Sequence, residues 1–152
     1  MYTDLLEQLR EKQEHSGEPL RPPCSPAALL ALQERVRTEL GVELPEPYAA
    51  FLQLTNGLDW NGVSLYASER TKGMTGSGRV GTFEGLVEDN LDRRDVEEFE
   101  HLLVLGDSGM DLYVYNLKRR VYEVLDSVSL DDFERFDTFD ELMRHVLTRC
   151  LS

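Results

Sequence analysis

Among the side chains that could do chemistry, the carboxylates are the most densely clustered in this sequence. They crowd the run from Glu88 to Glu100, EDNLDRRDVEEFE, and a smaller group follows at Asp131, Asp132 and Glu134. Clustered carboxylates pair with the arginines and lysines of protein partners. The alternative is a solvated acidic helix face, which needs no partner.

A second pair of carboxylates flanks a glycine in the segment Asp107-Ser108-Gly109-Met110-Asp111. A calcium loop needs more oxygen ligands than this spacing supplies. Hydrolytic acid–base chemistry by Asp107 and Asp111 is an alternative, but the sequence fixes no distance between them. We favour a corner between two strands, in which Asp107 accepts backbone N–H bonds and Gly109 takes a positive φ.

One glycine-rich segment matches the sequence pattern of a phosphate-binding loop. Residues Gly76 to Gly81 read G-x-G-x-x-G, within a stretch over 67–81 that also carries Arg70, Lys72 and Arg79. A dinucleotide site requires a buried strand directly before the glycines and a helix that opens among them. Polar and charged residues precede this segment instead, so we predict a surface loop over 67–81.

Other catalytic or metal-binding sets are not visible in the sequence. The three histidines are far apart, neither cysteine lies in a C-x-x-C pair, and no serine lies in a G-x-S-x-G elbow. Cys150 falls on the apolar side of the last helix, which is typical of a core residue. We therefore expect no catalytic residue, no metal and no cofactor.

The charge of the chain is strongly negative and unevenly distributed. The 152 residues carry a net charge of −13, and residues 84–141 alone hold eighteen acids and six bases. Such a field repels nucleic acid and anionic lipid and attracts basic proteins. The one basic cluster, Lys118-Arg119-Arg120, is predicted to be a hairpin turn. With no membrane-length apolar run and no signal-like N-terminus, the expected location is the cytoplasm.

Hydrophobic periodicity predicts helices, then strands, then a closing helix. Helices are expected over 3–15, 26–40, 45–56, 84–100 and 138–150, with Thr3, Ser25 and Thr138 as N-caps. Strands are expected over 63–66, 102–105, 112–115 and 120–125, with a further strand or turn over 131–136. This order predicts an α+β fold with an antiparallel sheet.

Three segments in this order resemble the SUKH superfamily, which includes the yeast cell-wall-synthesis regulator. They are LPEPYAAFLQLTNGLDWNGVSLY from Leu44, LGDSGMDLYVYNLKRRVYEVLDS from Leu105, and TFDELMRHVL from Thr138. The resemblance covers about residues 25–150 and is nearest to the bacterial YrhA-like branch. The chain departs from many members in having one glycine, Gly109, after Gly106-Asp107, where they have two or three.

The resemblance implies a twisted antiparallel sheet flanked by helices, over residues 25–152, preceded by an N-terminal helix and proline-rich connector over 1–24. It also implies a non-enzymatic immunity protein that binds and neutralises a basic toxin, such as a nuclease or deaminase. The alternative is a regulatory scaffold without a toxin partner. The expected contacts with the partner are Asp92, Asp95, Glu97, Glu98 and Glu100, with Trp60 or Tyr66 as aromatic anchors.

Overall fold

A computed structural model describes residues 1–74 and 80–152, which form five α-helices and eight strands. The helices are α1 (Thr3–His15), α2 (Pro26–Arg35), α3 (Glu46–Leu52), α4 (Leu86–Arg93) and α5 (Phe139–Leu151). The strands are β1 (Leu58–Trp60), β2 (Val63–Leu65), β3 (Thr71–Met74), β4 (Val80–Phe83), β5 (Leu102–Asp107), β6 (Asp111–Asn116), β7 (Val121–Asp126) and β8 (Asp132–Phe136).

Side-chain caps set the N-terminal ends of two of the five described α-helices, α2 and α5. The Ser25 hydroxyl accepts a hydrogen bond from the Ala28 N–H, and the Thr138 hydroxyl accepts one from Glu141, as predicted. α2 continues into a π-helical turn, Val36–Leu40, which ends at Gly41 with a φ of 72°. The predicted cap at Thr3 is wrong, because the helix begins at Thr3 itself and no side chain caps it.

Six of the strands form one sheet in the order β1-β2-β5-β6-β7-β8, and every strand pairing in it is antiparallel. Helices lie against this sheet, so the predicted α+β class is confirmed. The prediction of a loop over 67–81 is wrong in part, since β3 and β4 pair within it as a separate hairpin. Residues 75–79, which hold most of the glycine-rich motif, lie outside the described residues.

The core joins the helices to the sheet. Phe139 of α5 contacts the rings of Tyr2, Tyr48 and Tyr122, at centroid distances of 5.8, 5.9 and 5.5 Å. The buried residues of α1, including Leu6 and Leu9, belong to the same hydrophobic cluster. Residues 1–24 therefore pack on the domain, and the boundary predicted after residue 24 stays a prediction.

Gly106 lets β2 and β5 come together. A Cβ at this position would collide with the carbonyl oxygen of Ser64 and lie 2.8 Å from a methyl carbon of Leu65. Only a residue without a side chain fits this approach. The pairing of Leu65 with Gly106 and of Ser64 with Asp107 depends on it.

The acidic helix predicted over 84–100 is shorter than expected. α4 ends at Arg93, Val96 is extended with a φ of −102° and ψ of 116°, and Glu97–Phe99 form a separate 3-10 turn. We call residues Asp95 to Glu100 the acidic turn.

No helix among the described residues is long and apolar enough to cross a bilayer.

Candidate protein-binding surface

The acidic turn is fixed to the domain by Phe99 and by the two arginines that precede it, Arg93 and Arg94. Phe99 is partly buried against the core, and its ring centroid lies 5.5 Å from the guanidinium carbon of Arg93. The Arg94 guanidinium donates a hydrogen bond of 3.1 Å to the carbonyl oxygen of Leu40. These contacts hold the segment so that its carboxylates lie outside.

Arginines neutralise the carboxylates that precede the acidic turn. Asp92 pairs with Arg70 at 2.6 Å, and Glu88 pairs with Arg35 at 3.4 Å. Asp89 pairs with Arg93 at 2.7 Å; its burial raises its pKa, against the effect of that arginine. Asp92, expected to be a free partner contact, therefore has a charge that Arg70 already balances.

The acidic turn itself carries uncompensated charge. Asp95, Glu97, Glu98 and Glu100 are all exposed. None of them is in an ion pair among the residues that the structure describes. Four of the five carboxylates predicted to contact a partner are therefore exposed and without an ion pair among the described residues.

A β-bulge in β8 sets the position of Asp132 relative to Arg135. The register shifts between Val124 and Leu125 of β7, so that Asp132 faces Leu125, Glu134 faces Val124, and Phe133 is the extra residue. The bulge interrupts the alternation of faces, which places Asp132 and Arg135 on the same face although they are three residues apart. The two side chains form an ion pair there, and this arginine lowers the pKa of Asp132.

Glu98 of the acidic turn and Asp132 of β8 line the same cleft, which has a volume of about 340 Å³. The acidic run and Asp132, one member of the smaller acidic group at 131–134, are thus neighbours in the fold. The remaining residues that line the cleft are His101, Leu102, Asn116, Lys118, Arg119, Glu123, Leu125 and Leu130.

The cleft contains a buried carboxylate that is fully engaged. The Glu123 side chain is only 1 % exposed. It accepts hydrogen bonds from Asn116 at 2.7 Å, Arg119 at 3.3 Å and Arg135 at 3.2 Å. Arg119 also contacts Asp132 at 3.3 Å. Glu123 and Asp132 are therefore balanced by arginines within the cleft, whereas Glu98, which also lines it, forms no ion pair among the described residues.

The two aromatic residues predicted to anchor a partner, Tyr66 and Trp60, differ in how deeply they are buried. Tyr66 is 0 % exposed, so the prediction that its ring anchors a partner is wrong. Its hydroxyl donates to Asp107 at 2.7 Å and accepts from Arg93 at 3.3 Å, and burial raises its pKa. Trp60 is partly buried against the core on β1, at the sheet edge opposite β8.

The Asp107–Asp111 segment is the corner between β5 and β6. Gly109 has a φ of 85°, as predicted. The Ser108 hydroxyl, not the Asp107 carboxylate, accepts the local backbone N–H bond, which comes from Asp111 at 3.2 Å. Asp107 binds the Tyr66 hydroxyl, and Asp111 lies 3.6 Å from Arg149. The two carboxylates therefore have separate structural partners.

Metal-binding and nucleophilic groups do not converge in the part of the chain that the structure describes. Within residues 1–74 and 80–152, no group of three His, Cys, Asp or Glu side chains could hold a metal ion. Cys150 is fully buried, which raises its pKa to about 12. A thiol with such a pKa is a poor nucleophile at neutral pH.

Two residues of this surface were not identified from the sequence. Phe133 is 59 % exposed because the bulge makes it the extra residue of β8, and a bulge leaves no signal in a pattern of alternating residues. Glu123 lies among apolar residues of β7, and nothing in the sequence distinguishes it from a surface acid. Its three hydrogen-bond donors come from β6, β8 and the turn between β6 and β7.

The comparisons with known proteins agree with the fold. The family model described as SMI1 / KNR4 family (SUKH-1) matches residues 23–145, which is most of the chain. No curated protein gives a significant match. The superfamily predicted from the three signature segments is confirmed, while the YrhA-like branch stays a prediction. The chain belongs to the SMI1 / KNR4 family (SUKH-1).

Proposed function

We propose that this protein is a cytoplasmic immunity protein that binds and neutralises a basic bacterial toxin. One observation carries the proposal: Asp95, Glu97, Glu98 and Glu100 lie exposed on one anchored turn, without an ion pair among the described residues. Membership in a family associated with toxin immunity supports it. The protein acts by binding and transforms no substrate.

Electrostatics explains how such a surface would inhibit. A toxin that acts on nucleic acid, such as a nuclease or a deaminase, binds a polyanion and therefore presents a basic site. An acidic protein is attracted to that same site, associates rapidly with it and excludes the substrate. The chain itself, with a net charge of −13, is repelled by nucleic acid and by anionic membranes.

The predicted contacts differ in what they contribute. Glu97 and Glu98 lie in the 3-10 turn, Glu100 directly follows it and Asp95 lies just before it, so these four carboxylates are the contacts that contribute charge not balanced by a described ion pair. Asp92 contributes less, because Arg70 already balances its charge. Trp60 stays a proposed aromatic contact, since it is only partly buried.

Co-expression with the product of the adjacent gene tests the proposal. We expect that product to inhibit growth alone, and we expect this chain to restore growth and to co-purify with it. A variant with Glu97→Lys and Glu98→Lys should restore growth less well. If the adjacent product neither inhibits growth nor binds the chain, the proposal is wrong. Stable binding to other proteins of the host would then favour the regulatory scaffold.

A further inference from the structure

The outer edge of the sheet at β8 is open. β8 is the last strand in the order β1-β2-β5-β6-β7-β8, and no described strand pairs with its outer side. Four of its five residues are exposed, and only Phe136 is partly buried. The opposite edge, β1, has three residues, and Asn61 in the turn after it is bonded to the carbonyl oxygens of Cys150 and Ser152.

The register shows which backbone groups of β8 point outward. The Asp126 N–H donates to the carbonyl oxygen of Asp131 at 2.9 Å, so alternate residues of β7 direct their backbone groups toward β8. Val124 and Tyr122, two and four residues before Asp126, therefore also direct their backbone groups toward β8, where they face Glu134 and Phe136. The backbone N–H and C=O of Arg135, between them, therefore point away from the sheet, where an added strand would bind them.

The charge along this edge of the sheet determines which kind of strand could pair with β8. Asp131, Asp132, Glu134 and Asp137 lie on or next to β8, and the one cation among them, Arg135, is paired with Asp132 and Glu123. A second copy of this chain would bring carboxylates against carboxylates, which is unfavourable between adjacent strands. An extended segment rich in lysine and arginine would instead place cations against this edge.

An exposed aromatic residue lies on the same edge. Phe133 is the extra residue of the bulge, and 59 % of its surface is exposed. Bulges reorient side chains at the edges of sheets. Glu134 follows Phe133 in the strand and forms no ion pair among the described residues, so an apolar anchor and an unpaired carboxylate are consecutive on this edge.

We propose that β8 binds a basic, extended segment of the toxin as an added antiparallel or parallel strand, with Phe133 as its apolar anchor. This inference rests on the proposed function and extends it. The backbone of Arg135 supplies main-chain hydrogen bonds, and the neighbouring carboxylates supply specificity for cationic side chains.

Hydrogen–deuterium exchange tests the added strand directly. The full chain is measured alone and in complex with the product of the adjacent gene. We expect the Arg135 amide to exchange at least about ten-fold more slowly in the complex. If the complex forms and this amide exchanges as in the free chain, the inference is wrong while the proposed function stands. If no complex forms, both are wrong.

Substitution of the anchor gives an independent readout. Phe133→Ser should weaken binding of the same toxin by about ten-fold or more and leave the melting temperature unchanged, because the ring is exposed. Leu30→Ser, at an exposed leucine of α2, is the matched control and should change neither. Equal affinity for the two variants would overturn the inference. So would protection of Arg135 that rises with the concentration of the chain alone, because a second copy would then be the occupant.

Discussion

Glu98 and Asp132 line one cleft although 34 positions separate them in the sequence. The acidic turn supplies the first and the bulged edge strand supplies the second. Asp132 is held in ion pairs by Arg119 and Arg135, while Glu98 forms none among the described residues. The two carboxylates thus differ: Asp132 is held by arginines of the fold, and Glu98 is the one that we propose attracts a partner.

Charge reversal at the acidic turn should slow binding to the toxin. We expect Glu97→Lys with Glu98→Lys to lower the association rate about ten-fold or more at low salt, because steering depends on the charge of the interface. Stopped-flow or surface-based kinetics measures the rate. The control is Glu11→Lys with Glu14→Lys on α1, which changes the net charge equally at exposed positions. An equal loss in both variants would mean that only total charge matters.

Tyr66→Phe should destabilise the fold and leave binding intact. The substitution removes a buried hydroxyl that bonds Asp107 and Arg93, at an expected cost of about 1.5–3 kcal/mol in the free energy of unfolding. Urea denaturation measures this cost. A weaker affinity for the partner with unchanged stability would contradict the buried placement of Tyr66.

Gly106→Ala should disrupt the pairing of β2 with β5. The added methyl would collide with the Ser64 carbonyl, so we expect a loss of about 3 kcal/mol or failure to fold. Gly109→Ala is the matched control. A Cβ added at Gly109 would meet no atom within 4 Å, so this substitution should cost only the strain of a positive φ, about 1–2 kcal/mol. Similar costs for the two variants would show that close approach is not the reason for glycine at 106.

Asp132 should contribute to stability against acid. Its hydrogen bond to Arg135 keeps its pKa in the folded chain below the ordinary value, so the contribution is present above pH ~4 and is lost as the pH falls through the lowered pKa. Because more than a third of the side chain is exposed, the expected size is below ~1 kcal/mol. Denaturation of Asp132→Asn at pH 3 and pH 7 measures it.

The control for this measurement is Asp137→Asn. Asp137 is exposed and forms no ion pair among the described residues. Because Asp137→Asn removes no described ion pair with an arginine, Asp132→Asn should be less stable than this control at pH 7, and the difference should shrink at pH 3. The same dependence in both variants would contradict the role of Arg135.

Local signals in the sequence were sufficient for several elements. α1 has the predicted bounds, because its leucine spacing and the following Ser16-Gly17 are local features. Ser25-Pro26 and Thr138 with Glu141 mark helix starts through contacts within four residues. The strands β5 to β7 follow from short runs rich in apolar residues and a recognisable turn between β6 and β7.

Features that depend on distant residues were not predictable in this way. The acidic run looked like a continuous helix, but Arg94 binds Leu40 and Phe99 packs on the core, and neither partner is visible locally. The pairing of Asp92 with Arg70 joins two elements across 22 positions. Tyr66 follows a short strand and looked like a surface aromatic, yet its hydroxyl is satisfied by Asp107 and Arg93 inside the fold.

The most direct test of the central proposal is the salt dependence of the association rate with the toxin. If the acidic turn attracts a basic partner, the association rate of the unmodified chain should fall steeply between about 20 mM and about 500 mM salt. Over this range the Debye length shortens from roughly 20 Å to about 4 Å, so salt screens the attraction between the two proteins. The rate for Glu97→Lys with Glu98→Lys should start lower and fall less. A rate that is the same at both salt concentrations for the unmodified chain would contradict the proposal.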